Sequence, residues 1–540
     1  MRMVYALSYP FEMITLRDRS TYNLFDPWES LGEKRRKLLD RCWAGVFREH
    51  LLKQLPAAKL ADKLTESFGR PSKDLHVVLG ALVLQQLHDL TDAATVEAVS
   101  FNIAWHYALD IQHSSESYIC QRTLRTYRRW VIDKGLDEEL FEHLTDKLIN
   151  AFAVDTTRQR IDSTAVRSAM RTMTRLGILV AAVSKFLREL ARHNPALHAQ
   201  VEPQIIQRYV DREGECFGFG KPSETKRQLP EAAQVLADLV TQYRDTSAAD
   251  LESYLVLSRV FEEQCEVVHS TTEDLLVQVK EPSTIPSDTV QNPSDPDASY
   301  NSHRGVGYLV QVVETYTPES PSEDNKPNLI TYIDVQKMTQ HDSRAIEPAL
   351  DELERRAIKP AVILGDSHYG SVETMKRIVQ TGVEVVSPSM PPRGYKLGKL
   401  NLEDFQLDAS GVVVSCPAGL VPVSTSQSTK RIEVQFDQDD CSSCKDRQRC
   451  PGYTQSKSVN NRRWQYTPDR VAQRRRRLAE KSEYFIDRYR WRAGIEATMS
   501  RLKHQMGLSS LRVRGRHSLK YAVYLRALGM NIKRVAAYTG

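Results

Sequence analysis

Residues 307–386 constrain the fold more than any other part of this chain. Two runs there, 307–316 and 329–335, are β-branched and aromatic, and the polar, Pro-rich connection between them fits a hairpin with a long loop. A helical pattern over 343–357 then leads into Pro360-Ala-Val-Ile-Leu-Gly-Asp366, a short strand of the buried type that ends on an acid, and a further helix and strand reach Val386. A strand-like piece, QRIDSTAV around Arg160, lies far upstream. A hairpin joined to strands that alternate with helices points to an α/β fold.

The rest reads mainly as helix. At about 150 residues per domain the 540 residues give three or four domains, and 41% hydrophobic content is enough to bury several cores. Residues 1–150 read as all-α. Apolar positions 75, 78, 79, 82, 83 and 87 predict a helix, and Thr91-Asp92 caps a second one through Phe101, making a helix–turn–helix-like pair. Arg122, Arg125, Arg128 and Arg129 lie on a further helix that packs through Leu124, Tyr127 and Val131, so the arginines face either DNA or plain solvent. Helix is again expected over 167–210, with Leu176, Leu179, Val183, Phe186, Leu187 and Leu190 on one side, and on through about Leu257. Residues 281–298, rich in Pro, Ser and Asp, read as a linker or exposed loop. No internal repeat is visible.

Three function classes are set aside early. The longest strongly apolar stretch, 176–183, is far short of the roughly 20 residues that span a bilayer, and the N-terminus has no signal-peptide core, so a soluble, unsecreted protein is expected. Eight cysteines are too few for a disulfide framework, which suggests a reducing compartment. The net charge of +5 hides an asymmetry: residues 451–540 hold 21 Lys and Arg against 5 Asp and Glu, while the preceding 450 residues are net acidic. The C-terminal region is therefore a polyanion-binding candidate, although its run Arg474 to Arg477 also fits a solvated helix face.

Three acids could carry chemistry. Asp366 ends an apolar strand and is followed by Ser-His-Tyr-Gly, the place where an α/β sheet presents side chains to a crevice. Asp162, in Ile161-Asp162-Ser163-Thr164, sits in a weaker strand, with Asp155, Asp334 and Asp342 as competitors. In YRWRAGIEATMSRLK, Tyr489, Arg492, Glu496 and Lys503 fall at offsets that place them within an arc of about 60° on one helix face. A carboxylate between two cations and a phenol suits a site that binds both a metal and a phosphate. The bland reading is an i, i+4 ion pair between Arg492 and Glu496.

The spacing Tyr489-x2-Arg492-x3-Glu496-x6-Lys503 resembles that of the DDE transposases of bacterial insertion sequences in the Tyr-x2-Arg-x3-Glu-x6-Lys group, without a gap. IDST around Asp162, GDSHYGS around Asp366 and the downstream GLSSLRVRGR follow in the family's order, so the resemblance covers about 150–540. GRPSKDLHVVLGALVLQQLHDLTD also looks like the helical domain that precedes the catalytic domain in such proteins. The resemblance implies an RNase H-like, mixed-sheet catalytic domain over 151–540, with helical and strand-rich insertions, behind an all-α N-terminal DNA-binding domain over 1–150. Asp162, Asp366 and Glu496 would form the acidic triad, holding two Mg²⁺ (or Mn²⁺) ions, while Tyr489, Arg492 and Lys503 grip transposon-end DNA. It further implies double-stranded DNA partners, both transposon ends and target, a homodimer in the synaptic complex, and a bacterial cytoplasmic, nucleoid-associated protein. The rival readings are an RNase H-like nuclease without strand transfer and an inactive DNA-binding relative.

About 200 residues between Asp162 and Asp366 imply a helical insertion and linker over roughly 168–298, and a second insertion lies at about 390–470. The latter contains Cys416-x24-Cys441-x2-Cys444-x5-Cys450, which suits either a tetrahedral structural Zn²⁺ or a set of reduced, partly buried thiols. Arg462 and Trp464 are candidates for DNA contact, Trp464 by stacking on a displaced base, with a packed core Trp as the alternative. His303, Arg304 and His368 are candidates for contacting phosphate or tuning the site.

Overall fold

A computed structural model describes residues 13–19, 26–65, 70–113, 116–218, 222–270, 275–318, 326–392, 394–454 and 461–540. In chain order the strands of its first two thirds are β1 (Arg158–Arg167), β2 (Cys265–Ser270), β3 (Leu275–Val279), β4 (Ser299–Asn301), β5 (Gly305–Thr315), β6 (Ile330–Lys337), β7 (Val362–Leu364) and β8 (Glu384–Val386). β1 runs antiparallel to β5 on one side and parallel to β7 on the other. β6 pairs antiparallel with the far edge of β5, β8 pairs parallel with β7, and β4 extends the β5 edge as a short hairpin. The expected mixed sheet is thus realised in the order β6-β5-β1-β7-β8. β5 is buried along nearly its whole length, and its polar Gln311 and Glu314 are buried with the apolar run.

The N-terminal helices form where their caps and apolar spacing direct. Helix Leu75–Leu87 is capped by the Asp74 carboxylate, which accepts from the His76 N–H, and helix Asp92–Phe101 by the Thr91 hydroxyl, which accepts from the Ala94 N–H. Leu75–Leu87 is buried almost all round because the C-terminal helix Arg516–Thr539 packs across it. One hydrophobic cluster runs from these helices through Leu528, Leu525 and Ile532 of the C-terminal helix to Val310, Val312 and Ile333 of the sheet. Each such fully buried side chain contributes about 1.5–3 kcal/mol.

The helical insertion has a separate core. Leu176, Leu179, Val183, Phe186, Leu187 and Leu190, all buried as the spacing predicts, pack against helices Pro222–Tyr243 and Glu252–Gln264. Three expectations need correction. The helix is Arg175–His193 rather than a continuous run over 167–210: β1 continues to Arg167, and Asn194-Pro195 ends the helix because the proline disfavours helical backbone before it. The antiparallel hairpin β2–β3 follows the last insertion helix where no strand was expected. Residues 281–288 are exposed but for Ile285, as a loop of this composition should be, whereas the second half of the 281–298 segment is not: Thr289, Val290, Asn292, Asp295 and Ala298 are buried. Asp295 accepts hydrogen bonds from the Tyr308 and Ser168 hydroxyls and the Gly515 N–H, so protein groups replace water around a segment with little apolar surface.

The C-terminal insertion is strand-rich. β9 (Gln406–Leu407) pairs with β10 (Val413–Ser415), and β11 (Ser424–Gln427), β12 (Ile432–Asp437) and β13 (Asn461–Tyr466) form an antiparallel sheet over a small core of its own. Among the described residues no helix is long and apolar enough to cross a membrane.

Candidate active site

The sheet brings two acids together by register. Arg160 of β1 lies beside Leu364 of β7 in the parallel ladder, so two residues further along each chain come Asp162 and Asp366. Asp162 stays in the β1–β5 ladder opposite Val312. Asp366 has left β7 and turns: its Oδ1 accepts from the His368 N–H at 2.9 Å, and its carbonyl accepts from the Ser387 hydroxyl. Glu496 comes from the first turn of helix Gly494–His504, which buries Ile495, Thr498, Met499 and Leu502.

Arg492 ties these acids. Its Nη2 donates to Asp162 Oδ2 at 2.7 Å and its Nη1 to Glu496 Oε1 at 2.8 Å. Burial pushes the Asp162 carboxyl up to about 6, with the Arg492 guanidinium opposing and the nearby Asp366 and Asp342 carboxylates adding to the rise. Asp342 is buried behind the site, accepting from Gln311 Nε2 at 3.0 Å, and Gln311 in turn accepts from the Tyr369 hydroxyl at 2.6 Å. Of the competitors, Asp155 accepts from its own turn at the Thr157 N–H, Asp334 lies 3.4 Å from Lys520, and Asp342 is near enough to Asp162 to raise its carboxyl.

Among the described residues no group of three or more His, Cys, Asp or Glu side chains converges tightly enough to hold an ion. The donor chemistry nonetheless fits a hard divalent cation. All three candidate ligands are carboxylates, and a cation, the Arg492 guanidinium, already links two of them.

The helix that carries the spacing motif is not one regular helix. Helix Glu483–Tyr489 passes through a tighter 3₁₀ turn, Arg490–Ala493, before Gly494–His504 begins. Arg160 meets this turn: its Nη1 donates to the Trp491 carbonyl at 2.6 Å, and a Cβ at Gly494 would meet that nitrogen at 2.1 Å. Glycine lets the guanidinium pass under the turn. Tyr489 is half-buried, stacked on Phe485 at 5.5 Å beside Tyr316, Leu364 and Val386, and burial raises its phenol. Lys503 lies in the last turn of the helix, half-buried.

The basic residues divide. Arg122 and Arg129 of helix Gln121–Asp133 are exposed; Arg125 is exposed but reaches Asp92 at 3.3 Å and Gln121 at 3.0 Å. The run Arg474 to Arg477, in helix Pro468–Ala479, is not a free polyanion face. Arg474 donates to the Leu402 and Phe405 carbonyls, Arg475 to that of Ala409, and Arg477 to Glu403 and the Met390 carbonyl. Arg476 donates to the Gly370 carbonyl at 2.8 Å and the Ser387 carbonyl at 2.9 Å, bracing the loop that carries Asp366. The run was visible in the sequence; the carbonyl and carboxylate partners of its half-buried members Arg474, Arg476 and Arg477 were not, and Arg475 stays exposed.

In the second insertion, Cys416, Cys441 and Cys450 pack against the small core, and the eight cysteines of the chain are free thiols. Burial pushes the Cys441 thiol up to about 11, with Cys450, Cys416 and Cys444 near enough to add to the rise. Trp464 does not offer a face for a base. It is 2% exposed at the centre of this core, its ring 4.7 Å from that of Phe405 and 5.1 Å from that of Tyr466. The Arg462 guanidinium lies over the Tyr453 ring at 4.2 Å. His303 is exposed, Arg304 stands 3.7 Å from Asp342, and the His368 ring is 5.7 Å from that of His341.

Two family models match the chain. A model described as "Transposase DDE domain" matches residues 415–536, a span that includes the four clustered cysteines, Tyr489, Arg492, Glu496 and Lys503 but neither Asp162 nor Asp366. A model described as "Transposase domain (DUF772)" matches residues 38–129, the N-terminal helices. No curated protein matches the chain. The two matches, one near each end, support a DDE transposase of an insertion sequence.

Proposed function

We propose that this transposase binds the terminal inverted repeats of its own element, cleaves phosphodiester bonds there and joins the freed 3′ ends to target DNA. The observation that carries the reading is the Arg492 bridge between Asp162 and Glu496, residues 334 positions apart, with Asp366 beside Asp162. The strand order, with an antiparallel hairpin on one side of β1 and parallel strands on the other, supports an RNase H-like core over 151–540, and residues 1–150 would then bind DNA.

Asp162, Asp366 and Glu496 would hold two divalent ions, Mg²⁺ or Mn²⁺, which when bound supply activation of the attacking oxygen and charge relief on the leaving one. The chain's own groups do the rest. The Arg492 fork, now on two carboxylates, matches the acceptor geometry of a phosphate and would grip the backbone near the scissile bond, with Lys503 as a point charge and the Tyr489 hydroxyl as a further donor. Arg122, Arg125 and Arg129 would follow the DNA backbone, and Arg462 would reach it from the strand-rich insertion. Cys416, Cys441, Cys444 and Cys450 would hold a structural Zn²⁺. Cleavage of two ends together calls for a homodimer, and the substrate calls for a cytoplasmic, nucleoid-associated protein.

Replacing Glu496 by Gln tests the reading, because Gln keeps an acceptor for Arg492 but loses the charge. The variant should lose metal-dependent cleavage by about 10³-fold or more while binding end DNA like the parent. Cleavage that persists in Glu496→Gln overturns the role of the acid. A strand-transfer assay on precut ends separates a transposase from a nuclease that only cuts.

A further inference from the structure

Glu314, in β5, is completely buried and lies between two arginines, with Arg160 at 2.7 Å and Arg534 at 2.8 Å. A buried ion group of this kind is weak as a source of stability, since desolvation offsets much of the attraction. What it connects is more informative. Glu314 stands opposite Arg160 in the β1–β5 ladder, and Arg160 lies two residues before Asp162 on the same face of the strand. Thr498, two residues beyond Glu496, donates its hydroxyl to Glu314 Oε2 at 2.6 Å. Arg534 of the C-terminal helix donates to that same oxygen, to the Thr498 hydroxyl and to the Asn328 carbonyl. Arg160 also reaches the Trp491 carbonyl, immediately before Arg492.

We propose that Glu314 is a positioning residue of the active site. Acting through Arg160 and Thr498, it fixes the height and rotation of helix Gly494–His504 against β1, and so the separation of Glu496 and Arg492 from Asp162. The apolar contacts of Ile495, Met499 and Leu502 hold this helix down, but apolar packing tolerates sliding and repacking, whereas converging hydrogen bonds on one buried carboxylate do not. This inference rests on the transposase reading above.

Two variants of the full chain test it. Thr498→Val is nearly isosteric and removes the helix's bond to Glu314; Glu314→Gln keeps the shape and removes the charge. Leu257→Ala, in the separate core of the helical insertion, is the control for loss of stability alone. Mn²⁺ affinity is read by electron paramagnetic resonance, end-DNA binding in EDTA, and cleavage with labelled ends. Both variants should bind end DNA like the parent, yet lose about tenfold or more in Mn²⁺ affinity and in cleavage, with excess Mn²⁺ restoring part of the cleavage. Leu257→Ala should retain both. Variants that track Leu257→Ala in Mn²⁺ affinity and cleavage overturn the positioning role. Should Glu314→Gln fail to fold, Thr498→Val decides the question. A parent protein that neither binds Mn²⁺ nor cuts sinks the transposase reading itself, and the inference with it.

Discussion

At the scale of single residues, the site works against the fold that holds it. Asp162 has an ordinary carboxyl value of 3.8 in the unfolded chain and about 6 in place, chiefly from burial. Because the folded value is the higher one, proton uptake favours the folded state below about pH 4, and that contribution is lost as pH rises through 6. In metal-free buffer, Asp162→Asn should therefore be more stable than the parent above pH 6, on the order of 1–3 kcal/mol, with the gap closing near pH 4. Thermal melts of both proteins at pH 4 and 7.5 check this; an equal gap at the two pH values contradicts it. The Asn amide oxygen still accepts from Arg492, so the comparison isolates the charge. The pairing of Arg492 with Glu496 was legible in the sequence because it is local, four residues apart across the junction of a 3₁₀ turn and a helix. Arg160 and Glu314 were not: they meet only through the pairing of β1 with β5, and nothing in either local sequence specifies that register.

At the scale of elements, helix Pro468–Ala479 turns a basic run into a brace. With all four arginines bonded to carbonyls or to Glu403, its role is to join the strand-rich insertion to the loops that follow β7 and β8. Replacing Arg476 by Ala should lower cleavage by about tenfold or more through a looser Asp366 loop while leaving end-DNA affinity and its salt dependence unchanged. A reduced salt slope would instead mean that Arg476 meets phosphate directly, reinstating the polyanion reading. Strands β5 and β6 and helices Leu75–Leu87 and Asp92–Phe101 were legible because their apolar periods and caps are strong. Hairpin β2–β3 was not, since its short runs follow directly on a helix without a turn signal. Composition misled only over 289–298: Asp295 is polar yet buried, because its donors Ser168 and Gly515 come from distant parts of the chain and Tyr308 from the neighbouring strand.

At the scale of the whole molecule, Asp162 and Asp366 lie about 200 residues apart in sequence, yet each follows by two residues the paired Arg160 and Leu364 of β1 and β7, and the helical insertion between them buries its own apolar surface without interrupting that register. The same hydrophobic cluster that includes the N-terminal helices also includes the sheet and the C-terminal helix, so one matched transposase region and the C-terminal part of the other share a core. The most direct test of a three-carboxylate cleavage centre is to incubate the purified protein with labelled DNA carrying the element's own ends, in Mg²⁺ and in EDTA, alongside Asp366→Ala. The predicted result is nicking at the ends that needs Mg²⁺ and that the variant lacks; specific binding with no cut in any arm, or equal cutting by Asp366→Ala, contradicts it.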